Sequence, residues 1–209
     1  MENIPLQIKL KREVHRKIAY AQDLIVKEVY NVFNNAILHG GTGIWRCYKG
    51  RRFSEDLDFY LPKEKDKLEL LFENLSKSGF KIKKKKIAFN SVYSELEFDR
   101  VSVRLEATFQ SVKTQICDYE LVDGNFIAIY SLSVEDFIKE KVSTYLKRFK
   151  VRNLWDIFFL LKLTNKIPEI NNLILNYKTP VDENDLKVII LEGIVPKSSE
   201  MIDYIKWKK

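Results

Sequence analysis

Two aspartates spaced two residues apart are the residues in this sequence best suited to carry chemistry. Asp56 and Asp58 lie in Asp56-Leu57-Asp58-Phe59-Tyr60-Leu61, a segment whose polarity alternates with a period of two. That period predicts a β-strand, in which alternate side chains share a face, so both carboxylates point the same way. Carboxylates this close repel each other unless a cation or a donor lies between them. Mg²⁺, or Mn²⁺ in its place, is the suitable cation because hard cations prefer oxygen ligands.

A third acid lies on a later predicted strand, residues 101–109. The polar positions of this strand share one face, and they are Ser102, Arg104 and Glu106. If the two strands are neighbours in a sheet, Glu106 joins the aspartate pair around the metal. Two plainer interpretations stay open: the aspartates can pair with the nearby Arg51 and Arg52, and Glu106 can pair with Arg104.

A glycine turn, His39-Gly40-Gly41-Thr42-Gly43, precedes the acidic strand. Residues 36–38 predict a short strand before it, and Thr42 is placed to cap a short helix after it. Glycine lets the backbone approach a ligand closely, and amides at the start of a helix bind phosphate. The turn lacks the endings of a Walker loop and of a dinucleotide-binding loop. Alone it predicts only a tight turn; its place before the aspartates makes it a candidate phosphate site.

The composition is that of a globular protein with a basic balance. Lys and Arg number 36 against 29 Asp and Glu among 209 residues, a net charge of +7. This balance suits nucleic acid or a nucleoside triphosphate (NTP), although a lysine-rich solvated surface explains it equally well. The cysteines, Cys47 and Cys117, have no zinc spacing and are predicted to be reduced thiols. Without a signal sequence or a long apolar run, we expect a cytoplasmic protein with no membrane partner.

The elements that position these residues divide the chain near residue 131. The first part predicts helices over 11–34 and 64–76 and strands over 56–61, 80–89, 92–98, 101–109, 115–121 and 126–130. The second part predicts helices, of which the first runs from a capping box at Ser133 and Asp136 to about residue 149. The others are predicted over 153–163, 168–177, 183–191 and 199–207. The expected fold class is α+β, with a β-sheet flanked by helices and a C-terminal helical half.

The glycine turn and the acidic strand together resemble a known family signature. His39-Gly40-Gly41-Thr42, followed by the run Arg52-Phe53-Ser54-Glu55-Asp56-Leu57-Asp58-Phe59, is similar to the signature of the AbiEii family. Its members are MenT-like nucleotidyltransferase toxins of the DNA polymerase β superfamily, and the resemblance spans roughly residues 36–160. It implies a mixed-sheet nucleotidyltransferase core with an N-terminal helix over residues 1–130. Residues 131–209 are then a helical subdomain packed on that core.

The resemblance continues into the helical half. Glu140-Lys141 with Arg148, and then Arg152-Asn153-Leu154-Trp155-Asp156, resemble the lysine-bearing helix, the arginine-rich turn and the aspartate-bearing helix of the family. It implies that Lys141 contacts nucleotide phosphates and that Asp156 completes the catalytic site. Asn153 stands where the family usually has aspartate. Without the resemblance, Lys141 is an ordinary exposed lysine and Asp156 pairs with Arg152 four residues earlier.

The resemblance implies a metal-dependent transfer of a nucleoside monophosphate (NMP) from an NTP to an acceptor. The implied catalytic residues are Asp56, Asp58, Glu106, Lys141 and Asp156, and the first three hold the metal. The implied nucleotide-binding residues are Gly40, Gly41, Thr42, Arg52 and Ser54.

The implied acceptor is an RNA such as a tRNA 3′ end, and the implied biological role is that of a toxin opposed by a cognate antitoxin protein. The basic segment 139–152 suits RNA phosphates, whereas the lysine run 83–86 is better explained as a charged edge strand. Two alternatives remain: a nucleotidyltransferase acting on a small molecule or a protein hydroxyl, and a nucleotide- or RNA-binding module that has lost catalysis.

Overall fold

A computed structural model describes residues 4–164 and 167–208. The chain divides into two compact units. The first unit comprises residues 1–49 and 53–131, and the second comprises residues 50–52 and 132–209. That the helical part packs on the core stays a prediction.

The first unit contains the whole sheet and four helices among its described residues. In chain order the elements are α1 (Leu6–Lys9), α2 (Glu13–Val32), β1 (Ile37–His39), α3 (Gly40–Cys47), β2 (Leu57–Leu61), α4 (Lys65–Lys77), β3 (Lys81–Ile87), β4 (Ser91–Phe98), β5 (Val101–Phe109), β6 (Gln115–Glu120) and β7 (Phe126–Ser131). The predicted strands are confirmed, with ends that differ from the prediction by at most two residues. The α+β fold class is confirmed as well.

The seven strands of the described chain form one mixed sheet in the order β3-β4-β5-β2-β1-β7-β6. β2 runs parallel to β5, and β1 runs parallel to β7, while the other neighbours are antiparallel. β3 lies at one edge and exposes all its side chains, so the lysine run is an edge strand as predicted. Charge along an edge discourages pairing with another chain.

The alternation of β2 decides which face of the sheet is buried. Leu57 and Phe59 are fully buried, and Leu61 is 1 % exposed. Burying such side chains stabilises the fold by about 1.5–3 kcal/mol each. Helices α2 and α4 contact each other, and α2 contacts β5. Because alternate residues face opposite ways, Asp58 stands on the other face of the sheet.

The structure corrects the prediction for the glycine turn. Helix α3 starts directly at Gly40, so Thr42 lies inside the helix and does not cap it. Gly40 has a φ of +70°, which glycine adopts without strain and which lets the chain enter the helix straight from β1. Thr42 is fully buried, and its hydroxyl donates a 2.5 Å hydrogen bond to the carbonyl of Asp56. It therefore ties α3 to the start of the acidic strand.

The second unit is helical, as predicted. Its elements are α5 (Val134–Arg148), α6 (Val151–Leu160), α7 (Glu169–Leu175), a 3-10 turn (Glu183–Asp185), α8 (Leu186–Ile189) and α9 (Ser198–Lys208). The predicted cap is confirmed, because the Ser133 hydroxyl accepts a 3.1 Å hydrogen bond from the amide of Asp136. Within the described ranges, no helix combines the length and the apolar composition needed to cross a lipid bilayer.

Candidate active site

Asp58 and Glu106 are direct neighbours on the open face of the sheet. They are register partners in the parallel pair of β2 and β5. Neighbouring strands lie about 4.8 Å apart, and partners in register point to the same side. Both side chains are half-buried. The sheet therefore brings two carboxylates together, and their repulsion favours a bound cation or donor between them.

Gly40 provides the space that the Asp58 carboxylate occupies. A β-carbon at this glycine would lie 2.0 Å from Oδ2 of Asp58 and 2.8 Å from its Cγ. His39, just before the glycine, is the register partner of Asp58 on β1. The absence of a side chain at Gly40 thus lets the carboxylate lie over the first residue of α3.

Asp56 is held by an arginine that the sequence interpretation had paired differently. The Arg104 guanidinium donates two hydrogen bonds to its carboxylate, from Nε at 2.7 Å and from Nη2 at 2.5 Å. The hydrogen bond to Asp56 is the main reason why the pKa of Arg104 is raised, and the charges of Asp56 and Glu106 act in the same direction. Asp56 therefore pairs with Arg104, where the plainer interpretation had expected Arg51 or Arg52.

The register of the sheet explains the Asp56–Arg104 pair. The register of β2 and β5 starts at Leu57 opposite Leu105, so Asp56, just before β2, comes beside Arg104, just before Leu105. The pair is partly exposed, with 23 % of the Asp56 side chain and 46 % of the Arg104 side chain accessible. Ion pairs at such positions contribute only about 0–1 kcal/mol, so Asp56 can exchange its partner at little cost.

The donor chemistry of this site fits a hard divalent cation. Asp58 and Glu106 offer adjacent carboxylate oxygens, and Asp56 stands two residues before Asp58. Residues 4–164 and 167–208 contain no group of three His, Cys, Asp or Glu side chains already gathered for a metal ion. The Asp56 carboxylate is bound to the Arg104 guanidinium. A metal ion at this site would compete with Arg104 for Asp56.

Three further predicted nucleotide-binding residues of the first unit are Gly41 and Thr42 on α3 and Ser54, which lies before β2. The Ser54 carbonyl accepts a 2.9 Å hydrogen bond from the fully buried Gln22 amide, which fixes the segment before the strand. Gly41 is buried within α3, and the Thr42 hydroxyl is engaged by Asp56. Thr42 therefore positions the acidic strand, and a direct contact between its side chain and a nucleotide would require α3 to move.

A second group of predicted residues meets inside the second unit. Asp156 is 1 % exposed and accepts hydrogen bonds from Arg52, from Nε at 2.6 Å and from Nη2 at 2.7 Å. The Lys141 ammonium lies 2.9 Å from the same carboxylate. Burial alone would raise the pKa of Asp156, but the charges of Arg52 and Lys141 outweigh it and keep that pKa below its usual value. Asp156 thus pairs with Arg52 and Lys141, not with Arg152 as the plain interpretation expected.

The cluster contains three predicted site residues, Arg52, Lys141 and Asp156. Lys141 on α5 is 8 % exposed, so it is not an ordinary exposed lysine, and Arg52 is 5 % exposed. Asn153, where the resemblance implied aspartate, is buried on α6, the helix that also carries Asp156. The exposed cations of the basic segment 139–152 are instead Lys139, Lys147, Arg148 and Arg152.

Comparison with known proteins adds a family and a fold. Residues 28–189 match the family described as "Nucleotidyl transferase AbiEii toxin, Type IV TA system". Among solved structures, JHP933 from Helicobacter pylori aligns with a TM-score of 0.65 at 19 % identity, covering 94 % of this chain and 90 % of that one. The nucleotidyltransferase toxin MenT4 from Mycobacterium tuberculosis aligns with a TM-score of 0.60 at 14 % identity, covering 90 % and 82 %. No curated protein sequence matches. The two structures show the fold.

Proposed function

The chain belongs to the AbiEii family of nucleotidyl transferase toxins, and we propose that it transfers an NMP from an NTP to the 3′ end of an RNA, such as a tRNA, with Mg²⁺ or Mn²⁺ as cofactor. The observation that carries this proposal is the pairing of Asp58 with Glu106 in register on the open face of the sheet. Gly40 supports the proposal, because the Asp58 carboxylate occupies the space that a side chain at Gly40 would need.

The residues that would hold the metal are Asp58, Glu106 and Asp56. When bound there, a divalent ion supplies charge neutralisation at the transferred phosphoryl group. Asp58 and Glu106 are neighbours, and Asp56 would have to exchange its bond with Arg104 in order to join them as a ligand. Arg104 then remains beside the acids as a positive charge, which would favour the triphosphate over other ligands.

The backbone at the start of α3 is the proposed phosphate contact. Gly40 and Gly41 are the first two residues of this helix, whose N-terminal amides have no partner within the helix itself. Ser54 remains a proposed ligand of phosphate oxygens through its hydroxyl. The proposed contact of Lys141 with phosphates rests on the family resemblance, and the same holds for Arg52.

Asp156 has a different proposed role from that of the metal-binding acids. It is buried and bonded to two cations, so it is a positioning residue that holds Lys141 and Arg52 in fixed orientations. Asp156→Glu keeps the charge and moves it by one methylene. A positioning role therefore predicts that this variant keeps its metal affinity but changes the KM for NTP.

RNA is the proposed acceptor because the exposed basic side chains at the end of α5 and the start of α6 suit a phosphate backbone. Lys147, Arg148 and Arg152 are all exposed there. The family also makes a cognate antitoxin the proposed protein partner. An acceptor hydroxyl on a protein or a small molecule is the competing possibility, and a binding module without catalysis is the other.

The test is to incubate the purified protein with labelled NTP, Mg²⁺ and a cell extract, and then to separate RNA, protein and small molecules. The proposal predicts label in the RNA fraction at its 3′ ends. Label found only in protein or only in small molecules would reject the RNA acceptor but keep the transferase. No label in any fraction, with each of the four NTPs and with either metal, would favour the binding module.

A further inference from the structure

A cleft of about 680 Å³ opens at the far end of the acidic strand. It lies wholly in the first unit, where the ends of β2 and β5 meet the turn between β3 and β4 and the segment between β5 and β6. Its lining includes Tyr60, Lys63, Phe89, Asn90 and Gln110. Lys63 is the one charged residue among its described lining residues. The chemistry of the cleft is thus aromatic, amide and cationic, without an acid.

Phe89 is the unusual feature of this cleft. It stands at the tip of the β3–β4 hairpin, where the amide of Ala88 bonds the carbonyl of Ser91, and 80 % of it is exposed. The hairpin tip is also tied to the sheet, because the Asn90 carbonyl accepts a 3.0 Å hydrogen bond from the amide of Phe109. The Lys63 ammonium lies 3.6 Å from the centre of the Phe89 ring. A large apolar ring is therefore presented to solvent on an anchored turn, beside a cation.

This combination suits a nucleotide with an unpaired base. Aromatic rings stack on bases of any sequence, amide side chains hydrogen-bond to base edges, and a lysine attracts the phosphate. The absence of acids from the lining avoids repulsion of that phosphate.

One wall of the cleft, at Tyr60, lies on the same face of the sheet as the candidate catalytic acids. Tyr60 follows Asp58 by two residues on β2, so the two side chains share a face about 7 Å apart along the strand. Its register partner, Thr108, follows Glu106 by two residues on β5. The His39 ring stacks on Tyr60 at 3.9 Å with an interplanar angle of 5°, which links the glycine turn to the cleft wall.

We infer that this cleft binds an unpaired nucleotide of the acceptor RNA next to the terminal one. The inference rests on the proposed function, since it places the RNA end at the acids and the preceding nucleotide about two strand residues away. The base stacks on Phe89, and Lys63 contacts the adjoining phosphate. An NTP also contains a base and phosphates, so the test must distinguish binding of RNA from binding of the NTP.

The first test is direct binding, without metal or catalysis. A single-stranded RNA of about 12 nucleotides, labelled with fluorescein at its 5′ end, is titrated with the full chain and followed by anisotropy. Phe89→Ala is expected to weaken binding about 5- to 100-fold, because stacking on one ring is lost. Phe89→Trp keeps a stacking surface and should restore binding, whereas Phe89→Leu should not. Phe126→Ala removes an aromatic ring that is 44 % exposed and outside the cleft, and it should have no effect.

The second test concerns Lys63. Replacing it by glutamine should reduce the slope of log K against log salt by about 0.7, the loss of one phosphate contact on a single strand. Lys27→Gln is the matched control, because Lys27 is an exposed lysine of α2 outside the cleft. Thermal unfolding of each variant should match that of the unaltered protein, since Phe89 and Lys63 are both exposed.

The outcomes separate this inference from the proposed function. If Phe89→Ala raises the KM or Kd for NTP and leaves RNA binding unchanged, the cleft holds the NTP base and the inference is wrong. If neither ligand is affected, or if the unaltered protein binds no RNA, the inference is also wrong. The RNA-binding titrations need no transfer activity, so they do not depend on the catalytic acids. A stacking effect without any transferase activity would therefore reject the proposed function and leave only RNA binding at this cleft.

Discussion

The Asp58 carboxylate occupies the volume that a side chain on Gly40 would need. The 2.0 Å between Oδ2 and an ideal β-carbon is far below any tolerated contact, and the φ of +70° at Gly40 adds strain for every other residue. The acid that pairs with Glu106 is thus positioned by a residue that has no side chain.

Gly40→Ala is expected to lower transfer at least about 100-fold, because a misplaced catalytic group commonly costs that much. It should also destabilise the fold by about 1–3 kcal/mol through backbone strain. The measurements are the rate of NMP transfer and urea unfolding. Gly79→Ala is the matched control, since Gly79 has a φ of +93° but its β-carbon would meet nothing closer than 3.6 Å. Full activity in Gly40→Ala would show that Asp58 need not hold its present position.

Arg104→Gln is expected to tighten Mn²⁺ binding by up to about 5-fold, because it removes the competitor for Asp56 and the pair contributes only about 0–1 kcal/mol. Calorimetric titration of Mn²⁺ into the protein measures this. Arg100→Gln, at the exposed β4–β5 turn, controls for the loss of one positive charge. Weaker Mn²⁺ binding in Arg104→Gln alone would mean that Asp56 does not ligate the metal.

Asp156→Asn is expected to destabilise the protein by about 3–5 kcal/mol, because Arg52 and Lys141 are then left as buried charges without an anion. Urea unfolding at neutral pH measures it. Asp203→Asn removes an exposed partner of Lys206 and should change stability by less than about 0.5 kcal/mol. Equal effects in the two variants would contradict the structural importance of the buried cluster.

The pH dependence of stability should report the same cluster. The pKa of Asp156 is lowered on folding, since its attraction to Arg52 and Lys141 outweighs burial. Its contribution is therefore fully present above the unfolded pKa, about 3.9, and is lost as pH falls through the lower folded pKa. The difference in stability between the unaltered protein and Asp156→Asn should shrink below pH 4 or so. Asp23 differs in sign, because burial raises its pKa despite Arg46. A difference that grows in acid would contradict this account.

The sequence predicts those features that depend on local periodicity. Alternation placed Asp58 on one face of β2 and Glu106 on one face of β5, and the strand ends were predicted to within two residues, although Asp56 lies just before β2. Polarity and spacing along one strand are sufficient for such inferences. The catalytic roles of these residues stay predictions.

The features that the sequence interpretation missed depend on register and long-range contacts. Arg104 meets Asp56 because two parallel strands align, although the residues are 48 positions apart. Asp156 meets Arg52 across 104 positions, whereas local reasoning offered Arg152 as its partner. For Arg104 the sequence contains a signal. Asp56 and Asp58 are two residues apart, and so are Arg104 and Glu106. If Asp58 lies beside Glu106 on a parallel strand, Asp56 therefore lies beside Arg104. The contact of Asp156 with Arg52 has no comparable signature.

The central claim is that the acids on β2 and β5 carry out nucleotidyl transfer, and the most direct test is the mass of RNA 3′ ends after incubation with NTP and Mg²⁺. The unaltered protein and Asp66→Asn, which changes an exposed acid of α4, are predicted to add nucleoside monophosphate. Folded Asp58→Asn and Glu106→Gln are predicted to add none. Additions by folded Asp58→Asn at the unaltered rate would contradict the account.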